Sequence, residues 1–586
     1  MTTSLRDIPG AAPSRRGNKR DRRAQGRVTP YRPPVLFDPS AGIRFPVRRK
    51  RLFGQRRRPD LFLIALIVGS LGVAGYVWNA AHTANAVTAG IEGIDDGALL
   101  TAEAAAALDV VISVEKPEHL ATAKVTLDGE PLKNKQVEQL DQGYRWRPDP
   151  EKPLPDGVHV LQLVVTRTLN GTSVHRAEFT VDGTPPRIAV PPLLPEVPID
   201  APVTVAGALE EGATLSLDGE PLDVRDGRFE VDFEIPPAIP LRFVATDAAG
   251  NSTAAEVIVP VEHPGCRGVH VSAAAWGHDG LREGVMQLVD EGRVDCIELT
   301  LKDEGGDVGH FTSVGLANEI GAARNLYDLE AVVDELHAKG IRVVGRLVAF
   351  RDPILAEAAW ESGDEDWVIQ TPDGEPLPNY GGFTNFANEG VRQYNIDIAV
   401  EAAEAGIDEV LWDYIRRPEG SLDGMVVPGL QGDIKASIVD FLAETHPLMR
   451  ELGVHQGASV FGIAASRPDP VGQDIPAMAR HADVISPMVY PSLWVSGEYG
   501  VKDPKAMPYE IVTKSVEDFQ LSIEGSGARV IPWLQHFNLG HVYGPAEIDA
   551  QIQAAKDLGI DDWLFWSAAV RYNVESFGPL PVSADE

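Results

Sequence analysis

Two hydrophobic patterns divide the chain. Before about residue 262, short segments such as HVLQLVVTRT and RFEVDF alternate apolar and polar residues, with turn residues between them. Alternation with a period of two is typical of half-buried β-strands. From about residue 263, apolar strands of five to eight residues alternate with amphipathic helical segments. The sequence therefore predicts all-β modules followed by an α/β domain.

The α/β region contains eight predicted strands. Gly340, Gly406 and Gly559 lie just before three of them, as expected for helix C-caps that lead into the next strand. Eight strands with intervening helices in residues 263–586 predict a (β/α)₈ TIM barrel, with a doubly wound sheet as the alternative. The strands begin at Val269, Val294, Ile341, Ile407, Val454, Asp483, Ala528 and Asp562.

An internal repeat organises the β region. The string VTLDGEPL at residues 125–132 matches LSLDGEPL at residues 215–222, an offset of 90 residues. Asp-Gly between short apolar strands indicates a hairpin turn, because the turn requires positive φ. We therefore predict two all-β Ig-like sandwiches, at residues 109–184 and 185–262. Such modules are expected to be spacers, and carbohydrate binding is the alternative.

A long apolar segment precedes these modules. Residues 61–78, LFLIALIVGSLGVAGYVW, carry no charge, and Arg56, Arg57 and Arg58 stand just before them. The length and the basic flank predict one N-terminal transmembrane helix at residues 60–81, with the N-terminus inside. A cleaved signal peptide is the alternative, but the basic leader is long for one. Residues 82–108 are interpreted as a linker. The expected localisation is the cell membrane, single-pass, with extracytoplasmic C-terminal domains.

The charge is divided at the same point. The formal net charge is −34, but residues 1–59 hold 17 Lys and Arg against 3 Asp and Glu, a balance of +14, which leaves −48 for the remainder. We interpret residues 1–59 as a disordered basic cytoplasmic tail that sets topology or lies on anionic lipid. A strongly acidic folded part argues against nucleic acid as a partner, because the phosphate backbone would be repelled.

Polar residues cluster where the barrel strands end, which is where TIM barrels carry their chemistry. Alternation in strand two places Glu298, Thr300 and Lys302 on the face expected to point inward. Arg346, in the middle of strand three, should then meet a carboxylate in the lumen, with Glu298, Asp303 and Asp413 as candidates.

Carboxylates converging at one barrel mouth favour glycoside hydrolysis, because one carboxyl group must protonate the leaving oxygen and another must attack the anomeric carbon or activate water. Aromatic rings near the predicted strand ends can stack on apolar sugar faces. The expected substrate is therefore a polysaccharide or oligosaccharide. The candidate sugar-binding residues near these ends include Lys302, Trp412, Tyr490, Trp533, Gln535 and Trp566.

Other chemistry has weak support. The sequence lacks a P-loop, a dinucleotide-binding glycine fingerprint and a metal-ligand spacing such as HExxH, so we expect no cofactor and no metal. Asp303, Glu304 and Asp307 are interpreted as solvated loop acids, with a divalent cation as the alternative. The two cysteines, Cys266 and Cys296, either form a disulfide between adjacent strands or remain as buried thiols.

Several strings resemble a bacterial glycoside-hydrolase domain family related to α-amylase-type barrels. They cover residues 265–580 in order: LTLKDEGGDV, LHAKGIRVVGRLVAFRDP, YNIDIAVEAAEAGIDEVLWDYIRRP, DVISPMVYPS, PWLQHF and IQAAKDLGIDDWLFWSA. The resemblance implies a secreted or membrane-attached hydrolase of sugar polymers. It implies that Asp413 is the fourth-strand nucleophile and Asp303 the second-strand acid. It also implies that Arg346, Arg416 and Tyr490 surround the pocket.

The sequence departs from the family pattern at three strand ends. Ser459 stands where an Asp is usual in strand five, His536 where an Asp follows Leu-Gln, and Ser567 where an Asn is common. His536 could act as a replacement acid, since the pKa of histidine lies near neutrality. Otherwise it is a binding residue in an inactive barrel. Two functions follow: a membrane-anchored extracytoplasmic glycoside hydrolase, or a non-catalytic polysaccharide-binding or envelope-scaffolding protein.

Overall fold

The computed structural model describes residues 88–133, 136–167, 171–378 and 381–580. The predicted cytoplasmic tail (1–59) and the predicted membrane helix (60–81) lie outside these ranges. Within the ranges, no helix combines the length and the apolar character that a membrane crossing requires. The membrane span therefore stays a prediction.

The first β domain consists of two sheets that share one apolar core. The sheet orders are β1-β3-β7-β6 and β2-β9-β8-β4-β5. Trp146 from one sheet and Phe179 from the other lie in the shared core. The elements are β1 (Ala89–Glu92), β2 (Ala98–Leu100), α1 (Ala102–Ala106), β3 (Val110–Val114), β4 (Ala123–Leu127), β5 (Glu130–Pro131), β6 (Val137–Leu140), β7 (Gly143–Trp146), β8 (Gly157–Arg167) and β9 (Gly171–Val181).

The first β domain begins earlier in the chain than expected. Strands β1 and β2 lie inside residues 82–108, which the sequence analysis assigned to a linker. β1 pairs antiparallel with β3, and β2 pairs parallel with β9. The described part of this segment is therefore built into the sheets, and the linker assignment is wrong for residues 89–100. Its Ala-rich composition hid two short edge strands.

The second β domain also has two sheets, ordered β10-β11-β14 and β13-β12-β15-β16. Asp218 and Gly219 both have positive φ in the turn between β12 and β13, as Asp128 and Gly129 do between β4 and β5. The repeated hairpin turn is thus confirmed, while the Ig-like class of the two domains stays a prediction. The strands are β10 (Ile188–Ala189), β11 (Val203–Leu209), β12 (Thr214–Leu217), β13 (Glu220–Leu222), β14 (Arg228–Phe233), β15 (Leu241–Thr246) and β16 (Ser252–Val257).

The remaining elements form the α/β domain. Its strands are β17 (Arg267–Val271), β18 (Cys296–Lys302), β19 (Val308–His310), β20 (Ala323–Tyr327), β21 (Arg342–Val348), β22 (Glu409–Asp413), β23 (His455–Phe461), β24 (Val484–Met488), β25 (Arg529–Val530), β26 (Trp533–Gln535) and β27 (Trp563–Trp566). Its α-helices are α2 (Ala273–Trp276), α3 (Asp279–Asp290), α4 (Gly315–Glu319), α5 (Leu329–His337), α6 (Pro353–Ser362), α7 (Glu389–Glu404), α8 (Ile434–Glu451), α9 (Ile475–Met478), α10 (Pro508–Ser522) and α11 (Pro545–Asp557).

Short 3₁₀ helices occupy several connections of the described chain. They cover Pro117–Thr122 in the first β domain and, in the α/β domain, Glu365–Trp367, Leu422–Gly424, Ala479–His481, Pro491–Leu493, Glu498–Gly500, Pro504–Ala506 and Val574–Ser576.

Eight parallel strands close into a barrel. β17 pairs with β18 on one side and with β27 on the other, so the sheet has no free edge at this point. This closure confirms the (β/α)₈ architecture and excludes the doubly wound alternative, whose sheet is open. The seventh strand is interrupted between β25 and β26 at Pro532, which has no N–H to donate to the ladder.

The barrel has an inner and an outer apolar layer. Leu411, Val484 and Trp533 belong to a cluster inside the strands. A much larger cluster, which includes Trp412 and Phe441, joins the outer strand faces to the helices. A disulfide joins Cys266 to Cys296 next to the paired strands β17 and β18, which resolves the alternative that the sequence left open.

The second β domain contacts the base of the barrel. Arg529, at the start of β25, pairs with Glu196 at 2.8 Å, and Arg480, before β24, pairs with Glu256 at 2.5 Å. Both arginines lie at the amino ends of strands. The opposite end of the barrel, where the strands finish, carries the candidate site described next.

Candidate active site

Asp413, the last residue of β22, lies at the centre of the barrel mouth. Its Oδ2 accepts hydrogen bonds from Nε and Nη2 of Arg346, at 2.8 and 2.6 Å. Its Oδ1 accepts one from the backbone N–H of Tyr414 at 2.7 Å. Tyr414 has a φ of 51°, a strained conformation for a non-glycine residue. The chain therefore turns sharply after the strand and fixes the orientation of the Asp413 carboxylate.

Arg346 joins two carboxylates across the lumen. Its guanidinium is 2% exposed and also pairs with Glu304, with Nη1 3.3 Å from Oε2. Because one planar guanidinium holds both groups, the bonded oxygens of Asp413 and Glu304 lie within about 8 Å of each other. Burial alone would lower the pKa of Arg346, but Asp413, Glu304 and Glu298 raise it well above its ordinary value. Arg346 is therefore a permanent buried cation.

Glu304 is the second-strand carboxylate that reaches this cation. Its side chain is 36% exposed, so it can meet a ligand entering from solvent. Burial favours a raised pKa, but Arg346, a backbone N–H and His270 together hold the pKa of Glu304 below its usual value. The group is therefore ionised at neutral pH and suits the stabilisation of positive charge.

Asp303, the residue predicted for this role, is used differently. Its Oδ1 accepts hydrogen bonds from the backbone N–H groups of Gly305 and Asp307, at 2.8 and 3.1 Å, and so closes the turn after β18. Burial raises the pKa of Asp303. Within the described residues, no hydrogen bond or ion pair joins it to Asp413 or Arg346. The structure brings together Asp413, Arg346 and Glu304. The catalytic role of Asp303 stays a prediction.

A histidine and a second buried glutamate lie beside the guanidinium. His270 on β17 is directly opposite Glu298 on β18, and its Nδ1 lies 2.5 Å from Oε2 of Glu298. The imidazole stacks on Trp566, with ring centroids 3.9 Å apart. The Arg346 guanidinium lies 5.0 Å from the centre of the same indole ring. Trp566 therefore contacts two of the polar groups of the site, and its sugar-binding role stays a prediction.

Tyr490 and Trp533 lie in the apolar cluster inside the barrel. Burial, then the Asp413 carboxylate, raises the pKa of Tyr490 well above its ordinary value, so the phenol stays protonated. Trp533 is buried in the inner cluster, and its Nε1 donates to Ser459 Oγ at 3.0 Å. At the position where the family pattern has a carboxylate, strand five thus supplies a serine hydroxyl that accepts a hydrogen bond from the indole of Trp533.

Gln535 forms hydrogen bonds with the neighbouring loop. Its Nε2 donates to Oγ of Ser492 and to the carbonyl oxygen of Phe537, both at 2.8 Å, and its Oε1 accepts from the N–H of Ser492 at 2.9 Å. The side chain is completely buried. We therefore interpret Gln535 as a residue that holds the loop after Tyr490 in place.

Lys302 does not face the lumen, and its predicted orientation is wrong. A bulge between Thr300 and Lys302 shifts the register, so that Lys302 lies opposite Leu347, an outward-facing core residue. Its ammonium contacts Asp352 at 2.8 Å and Asn395 at 2.6 Å. Burial lowers its pKa despite the Asp352 carboxylate. Lys302 therefore joins β18 to the helix layer, and the structure does not bring it to the substrate pocket.

Trp412 also faces the helices. Its Nε1 donates to Gln456 at 3.0 Å, and its ring packs edge-on against Phe441 of α8 at 4.9 Å. It immediately precedes Asp413 on a strand, so the two side chains point to opposite faces. The structure does not bring Trp412 to the pocket, and the sugar-stacking role assigned to it loses its basis.

Arg416 is buried beside the loop that follows Asp413. Its guanidinium lies 4.7 Å from the Tyr414 ring centre and 4.6 Å from that of Phe461, and it pairs with Glu419 at 3.2 Å. These contacts place the Arg416 guanidinium against the ring of Tyr414. It supports the strained turn that orients Asp413.

His536 packs among aromatic side chains. Its ring stacks on Phe577, with centroids 5.6 Å apart, and packs against Tyr572 and Phe565. Burial lowers the pKa of His536, which favours the neutral ring. Within the described residues, the structure shows no contact between His536 and the pocket carboxylates, so the predicted acid role gains no support from geometry.

Three residues of this site were not among the predicted site residues: His270, Glu304 and Tyr414. Glu298 was predicted only as an inward-facing carboxylate that could meet Arg346. The string VHV in strand one places His270 between two apolar residues, and this alternation is a signal for an inward-facing polar group. Glu304 could not be separated from Asp303, because the bulge and the turn after β18 interrupt the alternation. The described residues contain no group of three or more His, Cys, Asp or Glu side chains arranged to hold a metal ion.

A closed parallel barrel with a carboxylate pair at the carboxyl ends of its strands defines the chain as a (β/α)₈-barrel protein with an acidic pocket. Residues 268–572, more than half of the chain, match the family described as "Putative glycosyl hydrolase domain", and the chain belongs to this family. The resemblance noted from the sequence strings is thereby confirmed at the level of the family.

Solved structures similar to this chain include two glycoside hydrolases. The PgaB (BpsB) glycoside hydrolase domain from Bordetella bronchiseptica is 14% identical, with 52% of this chain and 95% of that one covered, at a TM-score of 0.38. The α-galactosidase TtGalA from Thermus thermophilus is 13% identical, with 84% and 90% covered, at 0.36.

A hypothetical protein from Ruminiclostridium thermocellum is also similar. It is 28% identical, with 32% of this chain and 96% of that one covered, at a TM-score of 0.29. No curated protein matches this chain significantly.

Proposed function

We propose that the chain is a glycoside hydrolase that acts on a polysaccharide through the carboxylates Asp413 and Glu304. The observation that carries this proposal is the buried guanidinium of Arg346, which pairs with both groups at the mouth of the barrel. Glycosidases place two carboxyl groups about 5 to 9.5 Å apart around the scissile bond. Family membership supports the same class of reaction.

The two carboxylates have different roles in this proposal. Asp413 is the nucleophile, because three hydrogen bonds hold its carboxylate in a fixed orientation at the end of β22. Glu304 is partly exposed and has a lowered pKa, so its negative charge stabilises the oxocarbenium-like transition state. Trp566 and Tyr490 form the wall against which the sugar ring lies.

The same proposal places the enzyme at the cell membrane, with its folded domains outside. The support is the uncharged segment 61–78 and the basic residues that precede it. The two β domains then act as a stalk that holds the barrel away from the bilayer. Protease added to intact cells should digest the barrel, and full protection of the barrel would refute this orientation.

A non-catalytic glycan-binding protein is the second candidate. It is favoured by Ser459, which offers a hydroxyl where the family pattern has a carboxylate, and by His536, which packs on Phe577. This function requires saturable binding without any product. It also requires that binding survive the loss of the Asp413 charge.

A glycan screen separates the two functions. The full-length chain is incubated with α- and β-glucans, galactans, chitosan and peptidoglycan fragments, and released oligosaccharides are detected by chromatography. Asp413→Asn should abolish release, while Asp549→Asn, at an exposed position of α11, should leave it unchanged. Release that persists in Asp413→Asn would refute the mechanism, and binding without release by the wild type would establish the second candidate.

A further inference from the structure

Neither of the two carboxylates, Asp413 and Glu304, is placed to donate a proton. The inference about the missing proton donor rests on the proposed function. Hydrolysis of an unactivated glycoside requires protonation of the leaving oxygen. Asp413 has both oxygens engaged as acceptors, and Glu304 is held ionised beside Arg346. His536 packs on Phe577. Strand five supplies only Ser459, whose Oγ accepts from Trp533.

His270 and Glu298 form a buried pair that the proposed mechanism does not yet use. The two residues are direct neighbours in register on β17 and β18, with His270 3% exposed and Glu298 fully buried. Nδ1 of His270 lies 2.5 Å from Oε2 of Glu298. A carboxylate at this distance fixes the tautomer and the orientation of the ring, so that a proton on the other nitrogen, Nε2, has a defined direction.

Nε2 is the free end of this imidazole. Within the described residues it has no hydrogen-bond partner. The His270 ring and the Arg346 guanidinium both lie against the indole of Trp566, at 3.9 and 5.0 Å from its centre, so the imidazole lies near the cation that holds Asp413 and Glu304. A glycosidic oxygen bound between Asp413 and Glu304 would therefore come within reach of Nε2.

Carboxylates outnumber cations around the His270 ring. Glu298, Glu304 and Asp413 are three carboxylates around one guanidinium, and Oε1 of Glu298 is buried without a hydrogen-bond partner among the described residues. The positive charge that a proton donor carries would be stabilised by this excess of negative charge. The stack of the ring on Trp566 also stabilises a cation.

We propose that His270, oriented by Glu298, is the proton donor of the hydrolysis. As Asp413 forms a bond to the anomeric carbon, the bond to the leaving oxygen breaks and that oxygen takes the Nε2 proton. In the second step a water molecule attacks the anomeric carbon and gives its proton to Nε2, and the bond to Asp413 breaks. The imidazolium is restored, so atoms and charge balance over the cycle.

The test compares leaving groups that differ in their need for a proton. The full-length chain is assayed on the glycan it cleaves and on α- and β-fluorides of glucose, galactose and N-acetylglucosamine, since fluoride departs without protonation. His270→Asn keeps a donor near the position of Nδ1 for Glu298 but removes Nε2. We expect a loss of about 10²- to 10⁴-fold on the glycan and a much smaller loss in the first turnover of the fluoride. Added azide should restore turnover by forming the glycosyl azide.

Other outcomes separate the possible failures. Equal losses on glycan and fluoride, without azide rescue, would assign His270 a purely structural role and overturn this inference alone. Unchanged glycan cleavage in His270→Asn would also overturn it. Absence of any cleavage by the wild type would overturn the proposed function and this inference with it. His278→Asn, at an exposed position before α3, is the matched control and should behave like the wild type.

A wild-type measurement tests the same inference if the variant does not fold. If a proton donor acts on the leaving oxygen, the kcat/KM for the glycan should fall towards alkaline pH, whereas the first turnover of the fluoride should not fall. Four other titratable groups of the site have shifted pKa values. Burial raises the pKa of Tyr490 and Tyr572 well above ordinary values, the pKa of Glu304 is lowered, and that of Arg346 is raised. Parallel alkaline profiles for the two substrates would contradict the proposal.

Discussion

Replacement of Arg346 by methionine tests the electrostatic organisation of the pocket. Arg346 and Asp413 are 2% and 5% exposed, with Nη2 2.6 Å from Oδ2. Charges about 4 Å apart interact by about 4 kcal/mol at an effective dielectric constant of about 20. Removal of one partner from a buried pair costs about 3–5 kcal/mol, because the other charge stays buried without compensation. We expect Arg346→Met to lower the free energy of unfolding by about this amount at pH 7.

The assay is urea unfolding of the full-length chain followed by tryptophan fluorescence, since eight of the ten tryptophans lie at residues 276–566, in the barrel domain. Arg282→Met, which removes a surface arginine paired with Asp279, is the matched control and should leave the unfolding curve almost unchanged. The double variant Arg346→Met with Asp413→Asn should recover part of the lost free energy of unfolding, because it also removes the Asp413 charge that Arg346→Met leaves without a partner.

The pH dependence of this effect has a definite sign. In the wild type, the lowered pKa of Glu304 contributes stability above the pKa of the unfolded chain, and this contribution is lost as the pH falls through the folded-state value. Without Arg346, the pKa of Glu304 rises and the contribution disappears. The difference in the free energy of unfolding between wild type and variant should therefore become smaller as the pH falls below about 4.3. A difference under about 1 kcal/mol at pH 7, or one that grows in acid, would refute the reasoning.

Three further predictions concern residues outside the carboxylate pair. Lys302→Met should destabilise the barrel strongly, because Asp352 and Asn395 lose their buried partner, while KM for the glycan stays unchanged in steady-state assays. Reduction of the Cys266–Cys296 disulfide, 30 residues apart, should lower stability by about 3–4 kcal/mol in urea titrations, and unchanged stability would contradict the loop-closure estimate. Trp566→Ala should weaken glycan binding measured by calorimetry, whereas Trp412→Phe should alter thermal stability alone. Equal effects on binding would contradict the placement of these two rings.

The barrel could be predicted because its signals are local and repeated. Each strand is a short apolar run, and glycines such as Gly340 and Gly406 adopt positive φ just before the next strand begins. The presence of Asp413 at a strand end follows from the same pattern, because a parallel barrel brings the carboxyl ends of its strands to one face. The inward position of Arg346 was also predicted, since a charge in the apolar helix layer is costly unless it is paired there, as that of Lys302 is with Asp352.

The parts of the site that were predicted wrongly depend on which face of a strand a residue occupies, and a shift of one residue along the chain changes that face. The bulge between Thr300 and Lys302 reverses the direction of the side chains that follow, so alternation placed Lys302 inside and could not choose between Asp303 and Glu304. Trp412 was placed at the mouth by its position in the chain, although its neighbour Asp413 takes the inner face. Strands β1 and β2 were missed because they are short, Ala-rich and stabilised by pairing with distant strands.

The most direct test of the central claim is the rate at which the full-length chain and Asp413→Asn form new reducing ends on a glycan that the wild type cleaves. The account predicts a fall of at least about 10³-fold, because the nucleophile is removed while the asparagine occupies nearly the same volume. Asp413→Asn should still bind the glycan with nearly wild-type affinity. Reducing ends that form at the wild-type rate in Asp413→Asn would contradict the account.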